Sequence, residues 1–204
     1  MCHDTHKTQA TPNGRPLDDE LTGRVLNEVR EALGDEGFVN LKIEKVAAAV
    51  GCDKTTIYRR WPTKAEFVAA AILDGVDPGE TPDTGDVVEG LVEHAWQHVR
   101  NFKHDGQLTP THNRTLLAMF DAEVIPLIEA RYMKKRHAMG REILDRAVAR
   151  GQASSSLDQD LIIDTIAGLT LFRLSLKPDA RVHSDAELKD SHRKLVRSLV
   201  ASPD

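Results

Sequence analysis

The sequence predicts an all-α protein in two parts: a compact helix-turn-helix unit near the start and a larger helical domain after it. Three observations carry this reading. Apolar residues recur every three or four positions through most of the 204 residues, and no stretch alternates with the two-residue period of a strand. Aromatics are only 4% of the chain, and Ala, Val, Leu and Ile supply most of its 40% apolar content, a mix that leans toward helices. A Pro/Gly/Asp-rich run, "DGVDPGETPDTGD" at 74–86, then separates four short helical patterns from longer ones.

The elements follow in order. Residues 1–17 are polar and read as a flexible arm. Leu21, Val25, Val29 and Leu33, with Leu26 beside them, make a helical stripe that Gly34 and Gly37 end. Asn40 is placed to cap a second short helix with Ile43, Val46, Ala47 and Val50 on its inner face, and Gly51 stops it. Asp53 can cap a third helix that ends where Pro62 follows Trp61. Thr63 opens a fourth with Glu66 three residues on, the capping-box spacing, and that helix carries Phe67, Val68, Ala71 and Ile72. This gives one domain at 18–73 and a second at 74–204. Within the second, helical patterns run at about 86–104, 111–123, 125–150, 158–176 and 185–201.

Composition excludes several classes. A net charge of −5 rules out a polycation, so binding to nucleic acid would need a local patch. Cys2 and Cys52 are too few for a disulfide framework or a cysteine-rich zinc site. The polar start has no signal-peptide core, and "LIIDTIAGLTLF" is too short and too polar to span a bilayer, so the expectation is a cytoplasmic protein without membrane contact. No nucleophile elbow, phosphate loop or metalloprotease motif is present, which argues against an enzyme and leaves no cofactor to assign.

The local patch exists. Between 37 and 64, Lys42, Lys45, Lys54, Arg59, Arg60 and Lys64 face only Glu44 and Asp53. Two short helices around a glycine turn form a helix-turn-helix, whose second helix lies in the DNA major groove. Helical spacing puts Ile57 and Trp61 on one face of that helix, and Lys54, Thr55, Tyr58 and Arg59 on or beside the other. Arg and Lys can pair with guanine edges or phosphates, and Thr offers a hydroxyl or a methyl.

The stretch "VAAAVGCDKTTIYRRWPTKAEFVAAAI" resembles the tetracycline-repressor (TetR) family. The resemblance rests on Val46-Ala47, the turn Gly51, Thr56-Ile57-Tyr58, the aromatic Trp61 and Lys64 at the head of the fourth helix. It covers roughly residues 21–73. It implies a dimeric, ligand-responsive transcriptional regulator, most often a repressor, on a palindromic or pseudo-palindromic double-stranded DNA operator. It further implies base contacts from Lys54, Thr55 and Arg59, and phosphate contacts from Tyr58, Arg60 and Lys64, with Thr56 able to make either. Lys42 stands where the family often has a capping Thr; it can still reach a phosphate, but the cap must then come from elsewhere, with Asn40 at hand. Cys52 replaces a common Val and reads as a small buried side chain.

In the larger domain, "LDQDLIIDTIAGLTLFRLSL" is apolar nearly all round, so it needs cover on several sides. A second copy of the chain, meeting helices near 158–176 and 185–201, supplies that cover in a homodimer. Two-fold symmetry would set two recognition helices about 34 Å apart. The remaining helices are expected to enclose a pocket for a small apolar organic effector. His94, Trp96, His98, Phe102, Met119, Phe120, Met133 and His137 are the candidates for its wall. The fourth helix, between the basic patch and the linker, is expected to be the only early helix touching both domains. Other readings compete: a metal sensor built on His94 and His98 with His104 or His112, a small all-α enzyme, and a helical interaction protein that binds no DNA. No clear third ligand accompanies His94 and His98, so no metal site is assigned.

Overall fold

The computed structural model describes residues 19–101, 103, 115–176 and 184–201. Every regular element among them is helical: α1 (Asp19–Asn40), α2 (Ile43–Val50), α3 (Lys54–Arg60), α4 (Lys64–Leu73), α5 (Val87–Asn101), a 3-10 turn Ala118–Phe120, α6 (Ile125–Ile128), α7 (Lys134–Ala149), α8 (Gln159–Leu171) and α9 (Asp185–Val200). Wide π-helical turns, Glu129–Met133 and Phe172–Leu176, join α6 to α7 and extend α8.

Local chemistry explains most of the boundaries. Gly51 takes φ 72°, the left-handed conformation that lets its N–H reach back to Ala47 and Ala48 and close α2. Asp53 accepts from the Thr55 N–H at the head of α3. Thr63 and Glu66 form the reciprocal capping box of α4, and Ser184 with Glu187 repeats it on α9. The predicted end of α1 needs correction. Gly34 is buried inside a helix that runs on, and the break comes only at Gly37, with φ 74° and ψ 171°. Asn40 does not cap α2 either. Its amide donates to the Glu36 carbonyl at the end of α1, and the cap position falls to Lys42, with no side-chain cap bond. The predicted helix at 111–123 is described only from Thr115 and gives way to the 3-10 turn by Ala118.

The helices pack around distinct cores. Val25, Val29 and Leu33 of α1 meet Val46, Ile57, Phe67 and Val68, and this core continues into Met119, Val124 and Ile128. A second core joins α5, α7, α8 and α9 through Leu91, Leu144, Ile166 and Val196. A Cβ on Gly140 would stand 3.0 Å from the Ile163 side chain, so a larger residue there would push Ile163 by a few tenths of an ångström where α7 meets α8. Arg193 clamps Glu89 with two bonds of 2.6 and 2.9 Å, tying α9 to α5.

The run at 74–86 lies against the larger bundle. Asn101 donates to the Asp77 carbonyl, Gln97 to that of Glu80 and Arg146 to that of Pro82. At its start Arg30 of α1 donates to the Ala71 carbonyl and pairs with Asp74. The bridge between the two parts is also wider than expected. α4 packs on the 3-10 turn and α6, but α1 packs on that turn as well, and the Thr115 hydroxyl donates to the Arg30 carbonyl.

Candidate nucleic-acid interface and ligand cavity

α3 is seven residues long and cannot hold itself together in water. Its seat is Ile57, fully buried, and its C-cap residue Trp61, which stacks on Phe67 at 4.9 Å between ring centres. Its polar residues turn outward. Lys54, Thr55, Tyr58, Arg59 and Arg60 are exposed, and Thr56 is half-buried. Lys42 and Lys64 add cations at the N-terminal ends of α2 and α4.

Several of these groups are oriented by neighbours. Lys54 pairs with Glu44 at 3.4 Å, and the Thr55 hydroxyl donates to Asp53 at 2.8 Å. The Thr55 N–H and hydroxyl hold the Asp53 carboxyl below its usual pKa, so the cap stays ionised. Arg60 donates to the Thr22 hydroxyl and lies over the Trp61 ring. Lys64 donates to the Val39 carbonyl at 3.1 Å and sits over Phe38, which gives it a second task at the end of α1, past the break at Gly37. Arg59 and Tyr58 have no hydrogen bond or ion pair among the described residues, leaving both heads available to an outside partner. Cys52 is half-buried against the first core.

The larger part holds two adjoining cavities. One, of about 300 Å³, is lined almost wholly by apolar side chains, including Leu116, Met119, Phe120, Ile125, Ile128, Leu171 and Leu174. The other, of about 80 Å³, is smaller, and polar and charged residues stand in its wall: His94, Arg136, His137, Asp164 and Thr170. His98, Met133 and Ala167 line both. Both π-helical turns border the larger cavity, through Met133 and Leu174; wide turns of this kind recur at functional sites.

Six of the eight residues expected in a pocket wall thus line these cavities; Trp96 packs instead with Val99, Leu174 and Leu188, and Phe102 lies outside the described residues. Burial pushes the His94 and His98 pKa values down to about 3, so both rings are neutral near pH 7. The His98 Nδ1 lies 2.8 Å from the Tyr132 hydroxyl, and the His94 Nδ1 is buried with no hydrogen-bond partner. No cluster of three metal-ligating side chains occurs among the described residues, and His104 and His112 fall outside them.

Tyr132 and Arg136 were missed by the sequence reading. They are buried, with Met139, Ile143 and Leu144, at helical spacing. An Arg on an otherwise apolar stripe was the available signal. Within the segment 158–176 expected to meet a second copy, Ile166 is 3% exposed and faces its own protomer's core. Leu161, 59% exposed, and Phe172, 53%, are the outward apolar residues of that segment.

Residues 25–71 match the family model for bacterial regulatory proteins of the tetR family, and residues 81–201 match the tetracyclin repressor-like C-terminal domain. The chain belongs to the TetR family. It is a DNA-binding transcriptional regulator, and the family binds operator DNA and small-molecule effectors, typically as dimers. It is a family of regulators, not typically of enzymes. Among curated relatives, the uncharacterised HTH-type regulator YdeS of Bacillus subtilis is 27% identical, over 92% of this chain and 89% of its own. The uncharacterised HTH-type regulator Rv1556 of Mycobacterium tuberculosis is 30% identical, over 78% of this chain and 76% of its own. Among solved structures, Salmonella enterica GusR superposes with a TM-score of 0.67 at 18% identity, over 93% of this chain and 99% of its own. AibR, solved with isovaleryl coenzyme A and operator DNA, superposes with a TM-score of 0.61 at 20% identity, over 88% of this chain and 98% of its own. No described helix is long and apolar enough to cross a membrane.

Proposed function

We propose that this TetR-family chain is a repressor that grips a palindromic or pseudo-palindromic operator as a homodimer and lets go when a small, largely apolar organic effector enters the larger domain. Residues 18–73 form the DNA-binding unit and 74–204 the effector and dimer unit. Lys54, Thr55 and Arg59 read base edges. Tyr58, Arg60, Lys64 and Lys42 hold phosphates, and Thr56 serves either role. The observation that carries this is α3 itself: a helix seated by one buried Ile and its Trp cap, with the rest of its surface offering cations and hydroxyls outward.

The switch reading rests on shared packing. Met119 and Ile128 line the 300 Å³ cavity and also belong to the core that holds Phe67 and Val68 of α4. A ligand that moves them moves α4, and with it the spacing of two recognition helices. It can shift the equilibrium only by its differential affinity for the two spacings, typically about 1–3 kcal/mol. AibR, solved with isovaleryl coenzyme A and operator DNA, is a protein of this fold that holds both kinds of partner.

For the dimer, the outward Leu161 and Phe172 flank a segment whose inner face α9 already covers. Leu161→Asp is expected to yield a folded monomer by light scattering; a wild-type monomer at micromolar concentration refutes the dimer. The regulator reading is tested by selecting bound genomic fragments, then titrating an effector with and without operator. Operator must weaken effector binding by the factor that effector weakens operator binding. Equal effector affinity in both titrations leaves a DNA binder without a ligand switch.

A further inference from the structure

Arg136 is 5% exposed and has no carboxylate partner among the described residues. Its Nη1 donates to the Pro78 carbonyl and to Gln97 Oε1, each at 3.0 Å, and its Nη2 donates to the His94 carbonyl. A guanidinium carries five N–H groups, so the Nε–H and one Nη2–H remain without a partner among the described residues. A buried charge ordinarily has a counter-ion, because its lost hydration must be replaced. Arg136 has carbonyl dipoles instead. The same smaller cavity is lined by His94, whose buried Nδ1 is also unpartnered. A buried guanidinium with N–H groups to spare and a buried imidazole nitrogen without a partner therefore share one small chamber, and that chamber adjoins an apolar one of about 300 Å³, the low end for small-molecule pockets.

We propose that the cavity pair takes an amphipathic monocarboxylate, its acid head in the smaller chamber against Arg136 and His94 and its hydrocarbon tail in the apolar chamber among Met119, Ile128 and Leu174. This deepens the ligand-responsive reading above and rests on it. A carboxylate is acceptor-only and matches the planar fork of a guanidinium. It neutralises the buried Arg136 cation and gives the Nδ1–H tautomer of His94 an acceptor. An amine head would meet Arg136 as a like charge, and an alcohol would leave the charge unneutralised. Asp164, the acid in the same wall, is mostly exposed and already faces His137 at 3.2 Å, so it opposes a bound acid from the solvent side only.

The full-length protein is titrated by calorimetry with hexanoate, octanoate and decanoate, and with the alcohols of the same chain lengths. The best acid is expected to bind about tenfold to a hundredfold tighter than its alcohol, the scale of one hydrogen bond to a charged group. Arg136 also braces Pro78 and Gln97, so Arg136→Gln risks the fold. Arg136→Lys, which keeps the charge but loses the fork, and His94→Leu give independent readings, each verified as folded by circular dichroism. Each is expected to narrow the gap between acid and alcohol. The proposal is overturned if no acid binds, if alcohols bind as tightly as acids, or if both variants keep the full preference. Operator release, followed in parallel by fluorescence anisotropy, separates the two claims. Alcohols that bind and release operator as well as acids would remove the carboxylate assignment and leave the ligand switch standing. Acids that bind with the expected preference but leave operator affinity unchanged would keep the carboxylate site and remove the switch.

Discussion

Replacing Ile57 tests whether the recognition helix is held by its seat. Its side chain is 0% exposed and, with Trp61, is the apolar anchor of a seven-residue helix. Ile57→Ala removes three carbon groups, worth about 0.8 kcal/mol each in transfer, or about 2.4 kcal/mol in all. The cavity left behind adds to this, because Val25, Val46 and Phe67 belong to the same core and relax only in part. A total of about 3–4 kcal/mol is expected, within the usual range for such truncations. Ile57→Val removes one group and should cost about 1 kcal/mol. The assay is urea unfolding at fixed protomer concentration, followed through Trp61 in a Trp96→Phe background, beside operator binding by fluorescence anisotropy. Loosening α3 lowers the fraction of protein competent to bind, so operator affinity should fall in the same order as stability. The second core, around Leu91 and Val196, should keep the larger domain folded. A cost under about 1 kcal/mol for Ile57→Ala refutes the packing argument. A full stability loss with unchanged operator affinity refutes the claim that this seat positions the groove face.

Other expectations follow from single residues. Arg59→Ala should cost about 1–3 kcal/mol per half-site and relax preference at one base pair, whereas Lys64→Ala should weaken all sequences alike and lower the salt slope by about 1; wild-type binding by both would remove the groove assignment. Gly51→Ala meets no atom within 4 Å, so its cost is backbone strain alone at φ 72°, about 1–2 kcal/mol by thermal unfolding. Burial of His94 holds its pKa at about 3, against 6.5 ordinarily, so the unfolded chain binds the extra proton between those values and stability falls as pH drops below 6.5. At about pH 5 that loss is about 2 kcal/mol. His98, which burial also holds at about 3, adds a like amount, so His94→Leu should remove about half of the fall, and an unfolding free energy that is level in the wild type from about pH 7 to about pH 5 would contradict the buried neutral rings.

The sequence by itself determined what neighbouring residues decide. Asp53 caps α3, Thr63 and Glu66 close on each other, and Gly51 turns left-handed, because each bond spans at most four positions. Ile57 and Trp61 face inward because helical spacing leaves no other apolar seat for α3. The two-part, all-helical plan followed from the same periodicity. Asn40 shows where local reasoning falls short: it is near enough to cap α2, but α1 runs past Gly34 and takes its amide instead. Other features were decided only by tertiary structure. A helix apolar all round does not say which side meets its own core, so Ile166 and Leu161 looked alike until α9 covered one and left the other exposed. The cavities draw on α5, α6, α7, α8 and both π-helical turns, segments far apart in the chain. The sequence reading did not mark Arg136 out from the other cations of the chain. Only the packing of α5 and the Pro78 segment around it shows a buried charge beside an unpartnered His94, because burial depends on what covers a residue and no short window of sequence records that.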